Sequence, residues 1–150
     1  MKKNSIIVLA FLAFIFSACS FSTANISDLK FGKNDQASPS VTSFNVGEKI
    51  FAVATVANAM GKHKLKYQLK YENVPGKAKG EPGLKSDIDI DGNSEAFFSF
   101  SSDLPGDYSV EVTLVDEQDK ELGKKSGTIK ITGSAPAAPK KDDAVDDTEE

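Results

Sequence analysis

The chain has 150 residues and a net charge of −4, and its 18 basic residues are all lysine; arginine and tryptophan are absent. Arginine supplies the planar fork that grips phosphates, and lysine rows without arginine or aromatic interleaving do not describe a nucleic-acid surface. Arginine and tryptophan are also favoured interface anchors, although a lysine-biased genome accounts equally well for the composition. Cys19 is the single cysteine, so an exported body carries no disulfide and relies on its own core. Residues 26–132, about 107 positions, are enough for one such domain.

Lys2 and Lys3 precede residues 6–16, an unbroken apolar run of 11 residues. That suits the core of a signal peptide and falls short of the roughly 20 residues of a membrane span. The run ends in Phe16-Ser17-Ala18-Cys19, which resembles the bacterial lipoprotein signal. Ser17, Ala18 and Cys19 match that pattern; Phe16 stands where it has leucine. The resemblance implies a signal peptide over residues 1–18, cleavage before Cys19, and a thioether-linked diacylglycerol with palmitate-type chains on that thiol. Ser20, where aspartate marks inner-membrane retention, implies the outer membrane if the cell is Gram-negative. Two other outcomes fit the same residues. Ala18-Cys19-Ser20 is a small-x-small site for ordinary signal peptidase, which frees a soluble protein, and an uncleaved run serves as an anchor.

Residues 20–25 form a tether of six, spanning about 20 Å when extended, so the folded body is expected close to the lipid. From there the chain alternates like strands. Residues 26–31 give a weak first strand and residues 49–57 (KIFAVATVA) a second. Residues 64–72 (KLKYQLKYE) follow strict period two, with Leu65, Tyr67, Leu69 and Tyr71 on one face and Lys64, Lys66, Gln68 and Lys70 on the other. Residues 85–91 and 95–101 follow. In residues 106–116 (GDYSVEVTLVD), Tyr108, Val110, Val112 and Leu114 alternate with Ser109, Glu111 and Thr113. Residues 127–132 close the series. Asp91-Gly92-Asn93-Ser94 reads as a hairpin turn, Glu117-Gln118-Asp119-Lys120 joins the last two strands, and residues 75–83 form a longer loop carrying Lys77 and Lys79. No window shows helical spacing with caps. Residues 133–150 carry six acids in the last nine positions and no aromatic residue, which predicts a disordered acidic tail.

Seven short strands with regular turns predict an all-β, antiparallel two-sheet sandwich. The segment Leu104-Pro105-Gly106-Asp107-Tyr108-Ser109-Val110 resembles the entry to strand F of immunoglobulin-like and fibronectin-like domains. That resemblance implies a tyrosine corner at Tyr108 and a bacterial immunoglobulin-like sandwich, here without the disulfide pair and core tryptophan.

Asp87-Ile88-Asp89-Ile90-Asp91-Gly92 begins like a calcium loop, D-x-D-x-D-G. Its twelfth position, however, is Phe98 where a bidentate glutamate belongs. In a strand, alternate carboxylates stand nearly 7 Å apart and do not converge on one ion. The lysine row of Lys62, Lys64, Lys66 and Lys70 suits acidic headgroups or an acidic partner; it equally suits protection of a strand edge, or complements the aspartate row if both lie in one sheet. His63 is the only histidine. It has neither the G-x-S-x-G serine nor an orienting partner expected of a hydrolase, and Gly76-x-x-x-Gly80 lacks the Lys-Ser/Thr end of a phosphate loop. The expected function is therefore a lipid-anchored, non-catalytic binding or scaffolding module of the cell envelope, without cofactor. It would meet a membrane-proximal protein or glycan through two sandwich loops, one of Gly61, Lys62, His63 and Lys64 leading into the strand and one carrying Lys77 and Lys79. The alternatives are a calcium-dependent adhesive domain using Asp87, Asp89 and Asp91, and a small periplasmic hydrolase.

Overall fold

The computed structural model describes residues 24–134. The signal-like segment, Cys19, most of the tether and nearly all of the acidic tail lie outside the described residues. The described chain forms eight strands: β1 (Asn25–Gly32), β2 (Ser43–Asn45), β3 (Ile50–Ala57), β4 (Lys62–Asn73), β5 (Pro82–Asp91), β6 (Ser94–Phe100), β7 (Gly106–Val115) and β8 (Glu121–Thr132). A three-stranded sheet runs β1-β3-β6 and a five-stranded sheet runs β2-β8-β7-β4-β5. This is the strand order of an immunoglobulin-like sandwich, with β1, β3 and β6 in the places of A, B and E and β4, β7 and β8 in those of C, F and G.

Period-two alternation builds the core. Leu65, Tyr67 and Leu69 from β4, and Tyr108, Val110, Val112 and Leu114 from β7, are buried against β3 and β6. β3 offers the small side chains Ala52 and Ala54, which leave room for Tyr67 and Phe98, whose ring centroids are 5.7 Å apart. The Tyr67 hydroxyl crosses between the sheets and donates to the Ala96 carbonyl at 2.7 Å. Each large apolar side chain buried this way contributes roughly 1.5–3 kcal/mol. The sheets close on the β1–β8 side over a glycine: a Cβ at Gly127 would stand 2.5 Å from the Phe31 ring.

Four features depart from the sequence reading. The strands number eight, because Ser43–Asn45 adds a short strand that pairs parallel to β8 through Ser43↔Lys130 and Asn45↔Thr132. With three residues and one inward side chain, Phe44, it leaves almost no periodic signal. β8 begins at Glu121, six residues before the expected start at 127, because its first half places Gly123, Lys125 and Gly127 inward, where period two expects apolar residues. β5 begins at Pro82 rather than at residue 85, which is compatible with proline because β5 is an edge strand. Finally, Asp91-Gly92-Asn93-Ser94 is not a hairpin: β5 and β6 belong to different sheets. Gly92 turns at φ 64°, Gly92 N–H donates to Gly61 O at 2.9 Å, and the Asn93 Oδ1 accepts from Ala59 N at 2.9 Å, so the turn carries the chain across the sandwich.

Candidate functional site

The two outer faces of the sandwich differ in chemistry. On the five-stranded sheet the lysine and aspartate rows are directly opposed, Lys62↔Asp91, Lys64↔Asp89 and Lys66↔Asp87. Lys64 reaches Asp89 at 3.9 Å, Lys66 reaches Asp119 at 2.8 Å, and Lys70 and Lys124 both reach Glu111, at 3.1 and 3.6 Å. The aspartates alternate outward with Ile88 and Ile90 turned toward the core. Among the described residues no group of three His, Cys, Asp or Glu side chains is placed to hold a metal ion. Charges that complement one another across neighbouring strands leave little net field to attract a ligand.

His63 and its neighbours were expected in a loop. Lys62, His63 and Lys64 instead belong to β4, and His63 is 6% exposed. It falls on the inward face of the same alternation as Leu65 and Tyr67, and its Nδ1 lies 3.0 Å from Gly61 O. An open cleft of about 520 Å³ lies beside it. Asp89 and Asp91 line one wall, and Asp116, Glu117 and Asp119 of the β7–β8 turn line another. Two of the turn's acids are engaged in structure: Asp116 Oδ1 accepts the N–H of Gln118 and of Lys120, both at 2.9 Å, and Asp119 is held below the usual carboxylate range by the Lys66 ammonium. At the other expected loop, Lys77 Nζ bonds Glu81 at 3.1 Å and stands 4.9 Å from the centroid of the Tyr71 ring. Gly80 N–H donates to Tyr71 O, so this segment is a closed turn; Lys79 lies on its exposed part.

Tyr108 stands at the start of β7, in the position of strand F. It is fully buried, and its hydroxyl lies 2.8 Å from the Leu104 carbonyl and 2.7 Å from Ser102 Oγ. Ser102 Oγ also accepts the Leu104 N–H at 3.1 Å. The corner is a closed hydrogen-bonded unit that fixes how β6 leads into β7.

The outer face of the three-stranded sheet is apolar at its centre. Its registers define three rows: Gly32–Phe51–Ser99, Lys30–Val53–Phe97 and Asp28–Thr55–Glu95. Phe97 is 43% exposed, while Val53 beneath it is only 4% exposed although it lies outside the core cluster. The Phe51 and Phe97 rings meet edge to face, centroids 5.5 Å apart. Polar groups frame them: Lys49 Nζ lies 5.1 Å from the Phe51 centroid, Thr55 Oγ1 donates to Glu95 at 3.0 Å, and Lys30 bonds Asp28 at 3.2 Å. The sequence reading assigns these rings no role. The available signal is that residues 49–57 are apolar at Phe51 and Val53 as well as at the inward positions, more than a strand with one solvated face requires.

No family model and no curated protein matches the chain. Among solved structures, it is similar to the C-terminal domain of wzt, with 15% identity over 74% of each chain and a TM-score of 0.51. It is also similar to a family 76 glycoside hydrolase from Bacteroides thetaiotaomicron, at 15% identity and a TM-score of 0.47, covering 70% of this chain and 20% of that one. An immunoglobulin-like protein from Pseudomonas aeruginosa matches 76% of the chain at 13% identity, with a TM-score of 0.41. At these identities the likeness to the wzt domain concerns the fold alone; the chain spans only a fifth of the glycoside hydrolase. The described part of the protein is an all-β, two-sheet domain with immunoglobulin-like strand order.

Proposed function

We propose that this chain is a non-catalytic binding module of the cell envelope, held at the membrane by lipid on Cys19, and that it meets its partner through the outer face of the β1-β3-β6 sheet. One observation carries the reading. A partly exposed aromatic pair, Phe51 and Phe97, adjoins the buried Val53 inside a polar frame. An apolar centre within a polar rim is the anatomy of a recognition surface, and aromatic rings are its usual anchors. The larger sheet presents paired charges instead, and the loops expected to bind are tied into turns or strands. The partner is an envelope protein or glycan near the membrane, because the tether between Cys19 and β1 is short.

The test places a photo-crosslinking residue at position 97 or at position 87 in cells. Adducts to another envelope component at 97 and not at 87 are expected. The Phe51→Ser/Phe97→Ser double variant should lose the adduct partner on co-purification while melting as a folded domain. Equal crosslinking from 87, or undiminished co-purification, would sink the assignment of the face. The intact mass of the mature protein tests the anchor separately: acylated Cys19 at the N-terminus is expected, and a chain beginning at unmodified Phe21 contradicts it.

A further inference from the structure

We infer that β6 is an interface for a second copy of this chain, joining two β1-β3-β6 sheets edge to edge about a two-fold axis at Phe97. The four sheet edges are unequally protected. β5 carries Pro82, Lys85 and a row of aspartates, the usual guards against edge pairing. β2 is three residues long. β1 is covered where β8 crosses it: Gly123 lies beside Asn25 and Gly127 under Phe31, and Lys125 Nζ donates to Ser27 O at 2.7 Å. β6 is seven residues long, has neither lysine nor proline, and pairs among the described residues only with β3. Its one charged side chain is Glu95, so its outer side presents backbone donors and acceptors with less guard than β5 has.

The sequence of β6, Ser94-Glu95-Ala96-Phe97-Phe98-Ser99-Phe100, complements itself when run antiparallel about Phe97. Phe97 then faces Phe97 of the second copy, and Glu95 faces Ser99 in both directions, since the paired positions are symmetric about 97. No carboxylate meets a carboxylate; each instead meets a hydroxyl able to donate to it. All three positions lie on the outer face, so the pairing joins the two Phe51–Phe97 clusters into one aromatic strip across a continuous sheet. A two-fold axis makes the contact isologous and closed, which stops further growth. The inference does not depend on the identity of the partner proposed above, and it is read out by mass rather than by ligand capture.

Analytical ultracentrifugation of the full chain tests it, with two variants. The wild type should sediment as a concentration-dependent dimer. Ser99→Glu places a carboxylate opposite Glu95 twice per dimer and should weaken association by about tenfold or more, since like charges directly opposed are destabilising. Adding Glu95→Lys to Ser99→Glu restores opposite charges and should return the dimer to near its original strength, a rescue that a folding defect would not show. A wild type that stays monomeric at about 100 μM, far above the range of a specific contact, overturns the inference. So does a dimer indifferent to Ser99→Glu. Hydrogen exchange covers the remaining occupant. If β6 amides of a monomer are protected until residues 1–23 or 135–150 are deleted, the edge belongs to the chain's own terminus and the inference falls.

Discussion

Tyr108 illustrates how much one side chain decides here. Its hydroxyl is buried with Leu104 O and Ser102 Oγ as partners, at the point where the chain leaves the smaller sheet for the larger. Removing the hydroxyl keeps the ring and leaves polar groups short of a partner in a site with little access to water. Tyr108→Phe should therefore lower the free energy of unfolding by about 1–3 kcal/mol, measured by urea titration, with an unchanged m-value because the same surface is exposed on unfolding. A loss below about 0.3 kcal/mol would mean that Ser102 alone closes the corner. Gly127 and Gly123 make a paired case. Both lie on β8, but a Cβ at Gly127 meets the Phe31 ring at 2.5 Å, whereas at Gly123 the nearest atom is 3.9 Å away. Gly127→Ala should cost about 1–3 kcal/mol through displaced packing. Gly123→Ala should be near neutral or slightly stabilising, since it removes freedom from the unfolded chain. Equal effects at the two sites would contradict the close approach of β1 and β8.

At the level of elements, β4 and β5 show why an aspartate row is a poor guide to chemistry. Read singly, Asp87, Asp89 and Asp91 begin a calcium loop; in register, each faces a lysine of β4. An ion bound there would sit beside those lysines, compete with Lys64 for Asp89, and have to gather carboxylates spaced along an extended strand. Millimolar calcium should leave the melting temperature unchanged, because a ligand binding only the folded state must raise it; a rise of several degrees would restore the calcium reading. Strands with one buried face, β4 and β7, were legible in the sequence because each inward apolar residue alternates with a polar one. The same alternation, carried back two residues from Leu65, also turns His63 inward, although its lysine neighbours make it read as loop. What alternation does not encode is the partner of each strand. The sheet switch at Gly92 and the parallel pairing of β2 depend on contacts between distant parts of the chain. The first half of β8 was hidden because its inward positions are two glycines and Lys125, which meet β1 instead of filling the core. The Phe51–Phe97 face was missed for the opposite reason: apolar residues on both sides of a strand are spent on core expectations before a surface is considered.

For the whole molecule, the distribution of ionisable groups sets an asymmetric response to pH. On the acid side, Asp119 and Asp28 are held below their ordinary value of 3.8 by the ammonium groups of Lys66 and Lys30. Glu48 is lowered from 4.5 by Lys33, and Glu81 by the Ala78 N–H and Lys77. A depressed carboxylate contributes stability that is complete above its unfolded value and is lost as pH falls through its folded value. Stability should therefore decline from about pH 4.5 downward. Because these pairs are exposed, the decline should be shallow and should flatten in 0.5 M salt. On the alkaline side, Tyr67 and Tyr108 are raised above 10.0 by burial. The unfolded chain gives up those protons first, so each tyrosine favours unfolding as pH rises beyond 10, at up to about 1.4 kcal/mol per pH unit. Lys66 and Lys77, raised above 10.5 by Asp119 and Glu81, lose their contributions in the same direction, but through exposed pairs that salt screens. Melting temperature should thus be flat between about pH 5 and 10, with a salt-sensitive acid limb and a steeper alkaline limb that survives salt. Tyr67→Phe separates the causes. It removes the hydroxyl that bonds Ala96 O across the sandwich, so the variant should be less stable at pH 7 yet fall less steeply above pH 10. An alkaline limb as steep in the variant as in the wild type would show that the buried tyrosine between the sheets does not govern it.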